Sequence, residues 1–173
     1  KLEAYESTNL DLGLEWYFSD DGFMSGAVFR KEISSFITST SVKEEFDGSP
    51  SDDSGNEYTV IVPINGTNDV TINGIEAGVQ YAFDFLPQPF DGFGGLLNAT
   101  YQEADGYRNF NTVVGEFTPF PGLSEFSYNY SLYYENERFS TRASYNWREK
   151  WLVNPSGRGG LPEYTEDFGT LDG

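Results

Sequence analysis

Asn9-Leu10-Asp11-Leu12-Gly13-Leu14-Glu15-Trp16-Tyr17-Phe18 is the stretch that decides the fold. Leu10, Leu12, Leu14 and Trp16 fall on even positions; Asn9, Asp11, Gly13, Glu15 and Tyr17 fall on odd ones. Strand side chains point alternately to opposite faces, so this period of two gives one apolar face and one polar face. Ser19-Asp20-Asp21-Gly22 follows as a tight turn. Beyond it a returning strand is expected from Phe23 to Ile37, with Ala27 and Phe29 on one face and Val28 and Arg30 on the other.

The same alternation recurs along the chain. Ile75, Ala77, Val79, Tyr81, Phe83 and Phe85 share one face, against Gly74, Glu76, Gly78 and Gln80. Phe93, Leu97, Ala99 and Tyr101 oppose Asn98, Thr100 and Gln102. Phe126, Tyr128, Tyr130, Leu132 and Tyr134 form the next apolar face; after a minimal turn at Asn136-Glu137 come Phe139, Thr141, Ala143, Tyr145 and Trp147. Opposite this last set lie Ser140, Arg142, Ser144, Asn146 and Arg148.

Connections alternate in length. They are short at 19–22, 86–92 and 135–138, and long at 38–66, 103–122 and 152–165, with a β-prone run at Tyr58–Ile64 inside the first long one. Strands of about 9–11 residues joined by short turns on one side and long loops on the other have the grammar of an outer-membrane barrel. Aromatics gather towards strand ends (Trp16 and Phe18, Phe83 and Phe85, Tyr145 and Trp147), as interfacial girdles do. A soluble β-sandwich is the competing architecture, but its strands average five or six residues and its cores favour Val and Ile over Tyr.

Composition narrows the function. The formal charge of −18 comes without any basic stripe, which argues against nucleic acid as a partner. Aromatic residues make up 17% of the chain, too many for an acidic disordered segment. With neither His nor Cys, the chain has no Ser–His–Asp triad, no thiolate site and no disulfide. No enzymatic activity and no cofactor is expected.

Specific phrases add to the pattern. Glu6-Ser7-Thr8-Asn9-Leu10-Asp11-Leu12-Gly13-Leu14-Glu15-Trp16-Tyr17-Phe18 closely resembles a strand of TonB-dependent outer-membrane receptors, and Gly26–Ile37 resembles the strand that follows it. Asn65-Gly66 with Ile72-Asn73-Gly74-Ile75-Glu76 continues the likeness, as do Leu86-Pro87, Pro89–Gly94, Pro121–Ser124 and Tyr145–Arg148. The ordered succession most resembles the branch common in xanthomonads and caulobacters, whose members often import oligosaccharides.

This resemblance implies an all-β, antiparallel transmembrane barrel segment. Residues 1–173 would be a fragment from the C-terminal half of the barrel, supplying six to seven strands of 22 in the Gram-negative outer membrane. The N-terminal plug, the segment that contacts TonB and the remaining strands would lie outside the chain. The implied activity is energised uptake of a scarce nutrient, an oligosaccharide or a siderophore-type ligand. The partners implied are outer-membrane lipid, TonB through the plug, the ligand, and the rest of the same barrel. A passive porin and a soluble carbohydrate-binding module are the alternatives; the porin would lack a plug, and the module would need no detergent.

Candidate residues follow from the faces. Asp11, Glu15, Glu76, Gln80, Asn98, Asn129, Arg142, Asn146 and Arg148 are expected to line the lumen. Near the outer ends Tyr107, Phe110 and Trp151 are the candidates for ligand contact, because an aromatic ring beside polar groups can stack on a sugar. Asp47, Asp52, Asp53 and Glu57 could together attract calcium, though they lack an EF-hand spacing, and a solvated acidic loop is the simpler expectation.

Overall fold

The computed structural model describes residues 1–45, 57–66 and 68–173, the side chains at 40–45 and 57–59 excepted. Asp47, Asp52, Asp53 and the side chain of Glu57 therefore lie outside the described residues.

The elements in chain order are β1 (Glu6–Ser19), β2 (Gly22–Ser34), β3 (Ile37–Glu45), β4 (Glu57–Asn65), β5 (Val70–Ala82), β6 (Phe93–Asp105), β7 (Asn109–Asn111), β8 (Glu116–Thr118), β9 (Phe126–Glu135), β10 (Ser140–Arg148), β11 (Trp151–Asn154), β12 (Glu163–Thr165) and β13 (Phe168–Asp172). Seven of them form one sheet in the order β1-β2-β5-β6-β9-β10-β13, and every pairing is antiparallel. The other six pair off as three hairpins, β3–β4, β7–β8 and β11–β12, all in the connections at one end of the sheet. No helix among the described residues is long and apolar enough to cross a membrane.

Register lines the apolar positions up across strands. One row reads Leu12, Val28, Ile75, Tyr101, Phe126; the next reads Leu14, Gly26, Ala77, Ala99, Tyr128, Trp147; a third reads Trp16, Met24, Val79, Leu97, Tyr130, Tyr145, Leu171. These side chains do not cover one another from solvent: Leu14 is 77% exposed and Leu171 75%. A face this wide and this apolar has no place in water. Towards the long loops it gives way to Arg30, Asn73 and Glu103, which sets an upper limit to the apolar band.

The turn end carries a chain of rings. Trp16 meets Phe18 (5.8 Å), Phe18 meets Tyr81 (5.4 Å), and Tyr81 stacks on Phe85 (5.9 Å). Farther along the same edge Phe93 meets Tyr134 (4.8 Å). Amphipathic rings in such a position suit a membrane–water boundary.

The structure corrects several sequence boundaries. β2 stops at Ser34; Ser35 takes a left-handed φ of 54°, and Ile37 opens β3 instead of closing β2. The stretch 38–66 is built around a hairpin, with the β-prone run forming β4. β5 starts at Val70 and ends at Ala82, so Phe83 and Phe85 belong to the connection. They hold their side by packing on Tyr81 rather than by strand alternation. β6 runs on to Asp105, and the loops after it contain the two small hairpins.

Candidate functional site

The face opposite the apolar rows is lined by amides, hydroxyls and a few charges. Its central row runs Glu15, Ser25, Gly78, Asn98, Asn129, Asn146, Thr170 across all seven strands. The row beside it contains Ala27, Glu76, Thr100, Ser127, Arg148 and Phe168. Asn129 donates from Nδ2 to Asn146 Oδ1, and Ser131 and Ser144 pair at 2.8 Å. Two shallow depressions of about 430 and 540 Å³ share Asn98 and Thr100 and so run together along this wall.

Eight of the nine candidate lining residues lie in the body of this face, while Arg142 sits near the turn end with its guanidinium 5.9 Å from the Tyr133 ring. Arg148 is committed elsewhere. Its Nε donates to Ser124 Oγ (2.7 Å), its Nη2 donates to the Gly122 carbonyl (2.6 Å), and its guanidinium stands 3.9 Å from the Trp151 ring centre. It ties the wall to the loop above it.

At the loop end the inner face turns apolar. Phe29, Ile33, Phe36, Val70 and Ile72 form a buried cluster, with Ala104, Tyr107, Phe120 and Leu123 packed on it. Phe29 and Ile33 alternate with outward-facing Val28 and Arg30, so they point to the polar side. The long connections are therefore anchored on the inside of the wall. Tyr107 meets Phe36 and Phe120, each at 5.3 Å.

Beside this cluster lies a groove of about 290 Å³ between two loops, 106–122 and 149–167. Tyr107, Phe120, Trp151 and Tyr164 supply its aromatic lining, and Glu125, Glu149 and Lys150 supply charge. Two of the three sequence candidates, Tyr107 and Trp151, thus meet in one place. Phe110 does not join them: it sits on the β7–β8 hairpin against Phe117 (5.2 Å) and is half exposed. Tyr164, 47% exposed, was missed because a lone Tyr in a polar loop carries no period. Trp151 is already engaged by Arg148 and by Phe168 (5.8 Å), which leaves Tyr164 as the more open ring.

Asn111 was missed as well. It is buried in a loop at 7% exposure and bonded on both ends of its amide. Among the described residues no cluster of three or more acidic, His or Cys side chains could hold a metal ion.

A family model described as TonB dependent receptor-like, beta-barrel matches residues 1–173. No curated protein matches the sequence. Among solved structures the chain is similar to the copper transporter OprC, with a TM-score of 0.62 at 16% identity over 99% of this chain and 23% of that one. It is also similar to the FrpB iron transporter from Neisseria meningitidis (F3-3 variant), with a TM-score of 0.53 at 14% identity over 98% of this chain and 24% of that one. At these identities the likeness is one of fold. The chain spans about a quarter of the length of either structure.

Proposed function

Since the chain belongs to the TonB-dependent receptor β-barrel family, we propose that its seven-stranded sheet is a sector of the wall of an active transporter in the Gram-negative outer membrane. The observation that carries this reading is the division of one sheet into a band of apolar rows on one face and a continuous polar row on the other, with long loops confined to one end. The apolar rows meet lipid, the amide row meets an aqueous lumen, and the loop end faces outside. The wall would be completed by further strands of the same barrel, to 22 in all, around a plug that TonB engages. The phrases of β1 and β2 favour the branch common in xanthomonads and caulobacters.

For the cargo, the loop groove supports an oligosaccharide. Tyr164 and Tyr107 offer rings, and Glu125 and Lys150 offer an acceptor and a donor for hydroxyl groups. A siderophore-type ligand is the second reading: with Glu125 and Glu149 beside Lys150 the groove suits a neutral ferric chelate, whose oxygens would accept from the Lys150 ammonium. No chemistry on the cargo is part of this function.

The test is uptake by the full receptor, produced in a Gram-negative host with and without a working TonB. A panel of labelled neutral oligosaccharides and a ferric hydroxamate siderophore would be offered in parallel. Accumulation of a probe only when TonB works supports the transporter and names the cargo class. Accumulation independent of TonB would make the barrel a passive porin, and recovery of the protein without detergent would replace the barrel with a soluble module.

A further inference from the structure

Asn111 is a buried polar residue in a surface loop, and its amide does two separate jobs. Oδ1 accepts from the backbone N–H of Val113 (2.9 Å) and of Val114 (3.2 Å), closing the turn between β7 and β8. Nδ2 donates to the carbonyls of Pro155 (2.9 Å) and Gly160 (2.7 Å), in the other long loop. The same two loops are also joined where the Gly122 N–H donates to the Leu152 carbonyl at 2.8 Å. Hairpins as short as β7–β8 and β11–β12 are marginal alone. A buried amide whose partners were withdrawn would lose more than one hydrogen bond normally returns, because it would stay desolvated and unpaired. Separating the loops is therefore costly at this one side chain.

We infer that Asn111 is a positioning residue that holds loops 106–122 and 149–167 as a single body, and thereby fixes the groove of Tyr107, Trp151 and Tyr164 without lining it. The groove's use for cargo rests on the function proposed above; the coupling of the loops does not.

The two halves of the amide can be separated by substitution. Asn111→Asp keeps an acceptor for Val113 and Val114 but removes the donor to Pro155 and Gly160. Hydrogen–deuterium exchange is read on the full receptor in detergent, with no ligand. Amides of 151–165 should exchange about tenfold faster, although the substitution lies in the other loop. A change confined to 106–122 would overturn the inference, since a local turn residue would do no more. Asn111→Ser, too short to reach the second loop, should give the same spread and covers the case in which Asn111→Asp does not fold.

A cross-link supplies the converse. A Cβ built at Gly160 lies 3.9 Å from the Val113 Cβ, within the range of about 3.5–4.5 Å that a disulfide needs. The chain has no cysteine of its own to compete. Val113→Cys with Gly160→Cys should oxidise with Asn111 in place, at the expense of a side chain held at the left-handed φ of 80° that Gly160 adopts. Combined with Asn111→Asp, the disulfide should restore slow exchange in 151–165, and reduction should undo it. A disulfide that forms without restoring slow exchange would overturn the inference. A receptor that shows no TonB-dependent uptake would sink the proposed function and leave this result standing.

Discussion

Phe29 on β2 lies over Gly74 on β5, so closely that a Cβ at Gly74 would come within 2.2 Å of the ring tip. The two residues are directly opposite in register, and the missing side chain of one makes room for the ring of the other. Phe29 is then able to seal the inner cluster with Ile33, Val70 and Ile72. Gly74→Val should displace the ring and destabilise the barrel by about 1–3 kcal/mol, the usual range for overpacking. Urea unfolding of the full receptor in detergent would measure it, and Gly26→Ala, where a Cβ meets nothing within 4 Å, is the matched control.

The two faces of the wall should answer differently to one charge. Ala77 stands in the middle of the apolar rows, and Thr100 stands on the neighbouring strand facing the other way. Ala77→Arg should cost about 2–4 kcal/mol at mid-bilayer depth, whereas Thr100→Arg should cost well under ~1 kcal/mol. Folding of the full barrel into vesicles across a urea series distinguishes them. Equal penalties would mean that the faces have been assigned wrongly.

Arg148 is a fork with three engagements, and lysine cannot reproduce it. Arg148→Lys should lose the paired contacts to Ser124 and Gly122 and the stacking on Trp151. Charge-assisted bonds and cation–π contact together suggest about 2 kcal/mol of local stability. Limited proteolysis should then cut within 149–167 more readily, with the melting of the barrel itself nearly unchanged.

Within the groove, ring exposure should rank the effects. Tyr164→Ala should weaken capture of a labelled oligosaccharide by about tenfold, in line with loss of one stacking platform of roughly 1.4 kcal/mol. Phe110→Ala, outside the groove, should change capture little. Equilibrium binding to outer-membrane vesicles carrying the full receptor is the measurement, and a reversed order would move the site to the β7–β8 tip.

The strands that could be read from sequence were those with one face in each environment. β1, β9 and β10 alternate cleanly because one set of side chains meets the apolar side and the other the polar side. The outer half of β2 resisted, and Phe29 and Ile33 explain it: they are buried in the inner cluster while Arg30, Glu32 and Ser34 take the outer face, so the polarity of the two faces reverses along the strand. β7, β8 and β12 are three residues each, too short for a period to show. Phe83 and Phe85 extended the parity of β5 past its end because they pack on Tyr81.

Of the groove, Tyr107 and Trp151 stood out as aromatics among polar neighbours. The importance of Asn111 was hidden, since it depends on carbonyls 44 and 49 residues further along the chain.

The row from Glu15 to Thr170 is a count as well as a surface. Adding or removing one residue inside any strand would turn Leu14, Trp16 or Tyr130 inward and send their polar neighbours into lipid. Growth in length is thereby pushed out of the wall and into the connections at its outer end. The frame can stay rigid while the mouth is rewritten.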